Sequence, residues 1–172
     1  MYSQLEDLLA AGKWREANRE TRELLHKAAG EEGVGSGISY VLMREVPDTA
    51  LSDIDHLWKK YSKNHFGFSV QKAIWDKLYS DTLSLDSTYH DFINTIGWLD
   101  KWHRCTYYQC ERSSRTSEEN PKVFSLEAPQ GHLPMLQEWD INSVDDPYQR
   151  GLFPEMIETM SMFFARIPHA EE

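Results

Sequence analysis

A chain of 172 residues, 40% hydrophobic and 12% aromatic, has the material for one ordinary domain core, and residues 1–172 read as a single compact unit. Its mean hydropathy of -0.62 and the lack of any apolar run near the roughly 18 residues of a spanning helix argue against membrane insertion. A formal net charge of -10 repels phosphate backbones and so argues against a nucleic-acid partner.

The chain opens with two helical patterns. Ser3-x-x-Glu6 has the form of a capping box, Leu5, Leu8 and Leu9 make an apolar face, and Gly12 is placed to stop the helix. Trp14, Ala17, Thr21, Leu24, Leu25 and Ala28 then recur at intervals of three and four, with Gly30 where a left-handed C-terminal cap belongs. The short turn makes the two helices antiparallel neighbours. No second copy follows at a period of about 34, so a tetratricopeptide solenoid is disfavoured. The N-terminus has no signal or transit character, which gives the expectation of a cytosolic chain or of a mature form whose targeting segment is absent.

Gly33, Gly35 and Gly37 mark a loop before Pro47. From Leu51 the helical period returns through Ile54, Leu57, Trp58 and Tyr61, with Ser52-x-x-Asp55 resembling a capping box near its start. Ser69 has the character of the N-cap of a helix carrying Val70, Ala73, Ile74 and Leu78 on one face, and Tyr89, Phe92, Ile93 and Ile96 form a shorter helix ended by Gly97. The pattern then decays into a polar stretch whose exposed part is Glu111 to Asn120, followed by a short extended reading at Val123, Phe124 and Leu126. An acidic connector with Asp140, Asp145 and Asp146 leads to a last helix from about Gly151 to Ile167, with Pro154 tolerated in its first turn and Leu152, Met156, Ile157, Met160, Phe163, Phe164 and Ile167 buried. Helix dominates, and the fold class is all-α.

Catalytic and metal motifs do not emerge. The seven histidines, His26, His56, His65, His90, His103, His132 and His169, form no H-x3-H pair. Cys105 and Cys110 are too few for a disulfide framework or a four-ligand zinc site and read as free thiols. There is no G-x-S-x-G, P-loop or Rossmann fingerprint. Asp53 and Asp55 would point to different faces of a helix and read as ordinary solvated acids. Phe66 and Phe68 flank Gly67 between two helices, where an aromatic pair serves core packing or a flat ligand equally well. Lys101, Arg104, Arg112, Arg115 and Lys122 gather in the loop-rich half, with Arg150 alone in the acidic connector; in so acidic a chain such residues are the part suited to anionic groups.

Two stretches stand outside helix and strand periodicity: Phe66-Gly67-Phe68-Ser69-Val70-Gln71-Lys72 and Ala128-Pro129-Gln130-Gly131-His132-Leu133-Pro134. Together with the run from Asp53 to Trp75, Ile96-Gly97-Trp98 and the opening helical pair, they resemble the Genomes-Uncoupled-Four family over Tyr2 to about Pro134, and more loosely over the final helix. Lys59 after Trp58, the polar stretch from Glu111 to Asn120 and the acidic connector depart from the family pattern.

The resemblance implies an all-helical domain with an open, cupped apolar surface that holds protoporphyrin IX or magnesium protoporphyrin IX, with no covalent cofactor and no metal ligated by the protein. It implies a regulator of chlorophyll synthesis that activates magnesium chelatase, through its large porphyrin-binding subunit, and is not itself an enzyme. On the matching motifs Phe66, Phe68, Val70, Trp98 and Leu133, with Trp139, would line the porphyrin wall, and Lys72 and Arg150 would meet the propionates. The implied setting is the cytoplasm of a prokaryotic phototroph, or the plastid stroma for a mature form, with peripheral membrane association left open. The alternative is an interaction module that keeps the fold and binds another tetrapyrrole or none. The GHLP turn also has a structural reading, with Pro129 and Pro134 fixing a loop path and His132 hydrogen-bonding inside it.

Overall fold

The computed structural model describes residues 2–30, 44–98, 124–135 and 153–168. Six helices lie wholly within them: α1 (Ser3–Ala10), α2 (Trp14–Ala28), α3 (Asp48–Ser62), α4 (Phe68–Thr82), α5 (Leu85–Thr95) and α6 (Phe153–Arg166). No strand occurs among the described residues, and the expected all-α architecture is observed.

The helices pack as two groups of three. α1 and α2 form the expected antiparallel hairpin and both lie on α3, while α4, α5 and α6 pack on one another, and the groups meet where α3 turns into α4. Each group buries its own aromatic cluster. In the first, Phe66 stands edge-on to Trp14 and Trp58, with ring centroids 5.6 and 6.2 Å away. In the second, Phe68 meets Phe163 edge-on at 5.3 Å, and Phe163, Phe164, Trp75, Phe92 and Trp98 continue the chain of rings. Edge-to-face contacts of this kind add to the burial energy of each ring, because the positive edge of one meets the negative face of the next.

Helix starts differ from the sequence expectation, and the acids that complete the two capping-box patterns, Glu6 and Asp55, have tertiary partners instead. Tyr2, not Ser3, is the residue before α1, and Glu6 turns to α3, where it accepts hydrogen bonds from Lys60 Nζ at 2.9 Å and Tyr61 Oη at 2.8 Å. Those donors, Lys60 first, hold its carboxyl below the ordinary carboxylate range. Ser52 is inside α3, which begins directly after the extended Pro47. α5 begins earlier than Tyr89, since Ser84 caps it by accepting from the Ser87 amide. The expected extended piece at Phe124 and Leu126 is a series of turns, and the last expected helix is described as α6, with Gly151 outside the described residues. Gly33, Gly35, Gly37, Glu111 to Asn120, Val123, both cysteines and the acidic connector lie outside the described residues, as do Leu152 and the side chain of Met156.

Phe68 has no exposed surface at all. Phe68→Ala therefore removes a core ring, and is expected to lower unfolding free energy by about 3–5 kcal/mol. Urea denaturation followed by circular dichroism measures this; a loss under about 1 kcal/mol would mean that the ring is not part of the packed core.

Candidate ligand site

The two stretches that break periodicity lie against each other. Gly67 donates its amide to the Leu133 carbonyl at 3.0 Å, and Gly131 donates to the His65 carbonyl at 2.9 Å. Gln71, fully buried one turn into α4, donates through Nε2 to the carbonyls of Gly131 and Pro134, both at 2.9 Å. His65 Nε2 reaches the Ala128 carbonyl at 2.8 Å. A helix-to-helix turn and a loop remote in sequence thus satisfy each other's backbone polar groups, which buried loops must do to avoid a desolvation penalty.

Glycine is required at both crossing points. A Cβ on Gly67, which has φ 136°, would lie 2.7 Å from Asp55 Oδ1, and one on Gly131, with φ 77°, would lie 2.9 Å from Ile74 Cδ1. The reason for the first contact is a cap that sequence reading assigned to the wrong residue. Gly67 is the N-cap position of α4, and Ser69 is already helical; Asp55 of α3 accepts from the Ser69 amide at 2.9 Å and from its hydroxyl at 2.8 Å. A carboxylate at a helix N-terminus is favoured by both the free amides and the helix dipole. Asp55 is buried, not solvated, and Lys59 of the next turn lies 3.4 Å from it, which accounts for a lysine after Trp58.

The far end of the loop is held by Trp98 and His132. Trp98 Nε1 donates to the His132 carbonyl at 2.8 Å, His132 Nδ1 donates to the Ile96 carbonyl at 2.7 Å, and the Leu133-Pro134 bond is cis. The Met135 amide then donates to Asn18 Oδ1 of α2 at 2.7 Å, so the loop spans both helix groups.

The residues expected to line an open porphyrin wall are distributed otherwise. Phe66, Phe68 and Leu133 have no exposed surface, and Val70 and Trp98 are also buried. Phe66 and Phe68 point into separate clusters on either side of Gly67, because the two groups of helices meet there. In this conformation none of the five presents an open face, and packing within the protein takes their apolar surface. Trp139 and Arg150 lie outside the described residues, as do Lys101, Arg104, Arg112, Arg115 and Lys122.

Of the expected ligand residues, Lys72 borders a cavity. A groove of about 520 Å³ lies between the start of α3 and the end of α6, lined by Asp48, Thr49, Ser52, Lys72, Ala165, Arg166, Ile167 and Pro168. Arg166 ties its two helices together, with Nε 3.0 Å from Asp48 Oδ1 and a further bond to the Val46 carbonyl. The Lys72 side chain is 10% exposed, and its Nζ lies 2.9 Å from Asp76 Oδ2, a carboxylate 42% exposed. Asp55, Gln71 and Asp76 are the polar residues that sequence reading missed. The i,i+4 spacing of Lys72 and Asp76 was the available signal for the last. No cluster of three or more potential metal ligands occurs among the described residues.

The titration of His132 is displaced. Burial lowers its pKa from the ordinary 6.5, and the hydrogen bond to Ile96 offsets part of that. The unfolded chain therefore binds a proton more readily, so the stability contribution is present above pH 6.5 and is lost as pH falls through 6.5 towards the lower folded value. We expect the unfolding free energy from urea denaturation to fall as pH drops from 7.5 to 5.5, with a His132 component of at most about 1.4 kcal/mol per pH unit, and His132→Asn, which keeps a donor for Ile96, to lack that component. Parallel pH profiles for the two proteins would contradict this.

Comparison with known proteins extends the match beyond these contacts. The family model described as GUN4-like covers residues 1–151. The chain is 40% identical over 138 residues to the chloroplastic tetrapyrrole-binding protein of Arabidopsis thaliana, covering 78% of this chain and 48% of that protein. It is 31% identical over 138 residues to the ycf53 protein of Cyanidium caldarium, covering 80% of this chain and 51% of the relative. It thus spans about half the length of these curated relatives. Among solved structures, GUN4 from Chlamydomonas reinhardtii superposes with a TM-score of 0.57 at 31% identity, covering 92% of this chain and 88% of the other. The ligand-free GUN4 of Arabidopsis thaliana gives 0.58 at 24% identity, with 93% of each chain covered, and shares the fold. With its mutually locked signature stretches inside the matched span, the chain belongs to the GUN4-like family, the Genomes-Uncoupled-Four proteins.

Proposed function

We propose that this protein binds a porphyrin and regulates tetrapyrrole synthesis by activating magnesium chelatase, with protoporphyrin IX and its magnesium form as ligands and no catalytic step of its own. The observation that carries this reading is the 40% identity, over most of the chain, to a relative named as tetrapyrrole-binding. Two structural features support it. The clamp between the turn at Gly67 and the loop at Leu133 makes a rigid frame, and rigid frames with polar segments attached are how binding loops are held in register. The groove at Lys72 has a volume in the range of small-molecule sites, and it puts a cation where a propionate-bearing edge can enter.

The buried Phe66, Phe68, Trp98 and Leu133 then act as the backing of the site, and Trp139 and Arg150 remain the proposed contributors from the connector. The large subunit of the chelatase is the proposed partner, and the compartment is that of chlorophyll synthesis, prokaryotic cytoplasm or plastid stroma. The competing reading keeps the fold and drops the pigment.

Titration with protoporphyrin IX and its magnesium form, followed by quenching of tryptophan fluorescence and by the Soret band, separates the two. We expect saturable quenching with a red-shifted Soret band for both porphyrins, and a higher rate of magnesium insertion when the protein is added to chelatase. Absence of any spectral change at micromolar protein would favour the interaction module.

A further inference from the structure

The Lys72–Asp76 pair is an unusual use of a lysine. The side chain is nine-tenths buried, five residues into α4 and so near its positive end, and it faces the acid in the weaker order, with the base N-terminal to its i+4 partner. Burying an ammonium costs several kcal/mol unless good partners offset it, and a half-exposed aspartate on the same helix is a modest partner. Stability alone gives little reason for a lysine here. Yet it lines the groove, while Asp76 does not. Among lining residues Lys72 and Arg166 carry positive charge and Asp48 negative, a local excess of one cation in a chain whose net charge is -10.

Arg166 is already bound to Asp48 and to the Val46 carbonyl, which leaves Lys72 as the lining cation whose partner comes from outside the groove. We infer that Asp76 is a placeholder: a ligand carboxylate entering the groove takes over the Lys72 ammonium, and Asp76 moves to solvent. This rests on the porphyrin-binding reading for the identity of the carboxylate, a propionate, but the exchange itself requires only a carboxylate. Hydroxyls of Thr49 and Ser52 on the same wall are available donors for its second oxygen. The consequence is a built-in competitor. Each entering anion must displace Asp76, which weakens retention of the ligand and favours its release to a partner.

The experiment compares wild type, Asp76→Asn, Lys72→Met and Asp81→Asn by fluorescence quenching with protoporphyrin IX and with its dimethyl ester. Asp81 is exposed and about 13 Å further along α4 from Lys72, so its substitution makes the same change in net charge beyond the screening length of about 8 Å. We expect Asp76→Asn to bind the diacid roughly 3- to 10-fold more tightly, about 0.7–1.4 kcal/mol, with the ester unchanged. Lys72→Met is expected to weaken the diacid alone, and Asp81→Asn to change neither.

An unchanged diacid affinity in Asp76→Asn, or an equal gain in Asp81→Asn, overturns the exchange while leaving porphyrin binding intact. If no protein binds either porphyrin, the porphyrin reading fails instead. The exchange is then decided by thermal shift with glutarate at constant ionic strength. A saturable rise in Tm, larger in Asp76→Asn and absent in Lys72→Met, supports it, and any other pattern overturns it. Asp76 is half-exposed, so its substitution leaves the fold in place for every arm.

Discussion

The crossing at Gly67 is the constraint on which the rest of the structure depends. Its amide reaches the Leu133 carbonyl, and on its other side the backbone lies so close to α3 that a Cβ would strike the Asp55 carboxylate that starts α4. One site therefore fixes three things: the direction in which α4 leaves α3, the docking of the remote loop, and the opposite pointing of Phe66 and Phe68 into the two aromatic clusters. Each of these hydrogen bonds is worth only about 1 kcal/mol net, but leaving any of the buried groups unpaired would cost about 1–3 kcal/mol, so the contacts stand or fall as a set.

Trp98 and Met135 are anchored to this frame. Trp98 is pinned through its indole to His132 and through its ring to Phe92, and Met135 is pinned through its amide to Asn18. The polar residues from Lys101 to Lys122 follow Trp98, and Trp139 and Arg150 follow Met135. The family signature is thus a device of architecture first.

How much was readable in the sequence follows from the range of each interaction. The faces of α2, α3 and α6 were legible because burial on a helix leaves a 3.6 period, and Gly12, Gly30 and Gly97 were legible because a left-handed end needs glycine locally. The capping-box patterns at Ser3 and Ser52 and the cap at Ser69 were misread because a cap and a tertiary hydrogen bond use the same side chains, here those of Glu6, Asp55 and Ser69, and only the fold decides between them. Asp55 read as a solvated acid for the same reason: its partners are 14 residues away in sequence. For the candidate site the ambiguity lies deeper. A core ring and a ligand-wall ring satisfy one chemistry, so Phe66 and Phe68 could be recognised as special without their surroundings being recognised. Lys72 was legible as a cation beside the motif, but Asp76 was not, because an i,i+4 acid is an ordinary feature of exposed helices.

Net charge and local charge act at different stages of any encounter with an anionic ligand. The charge of -10 opposes approach, but at physiological ionic strength it is screened beyond about 8 Å, so it affects how often a ligand arrives more than how long it stays. On the proposed exchange, retention is governed within hydrogen-bonding distance of Lys72. That residue follows Gln71, whose amide is fastened to Gly131 and Pro134, so the ammonium cannot be moved by sliding this part of α4. The partner, Asp76, is the more exposed half of the pair. A fixed cation with an exchangeable anion is a site whose strength is set by competition, and in that arrangement release is as much a designed property as binding.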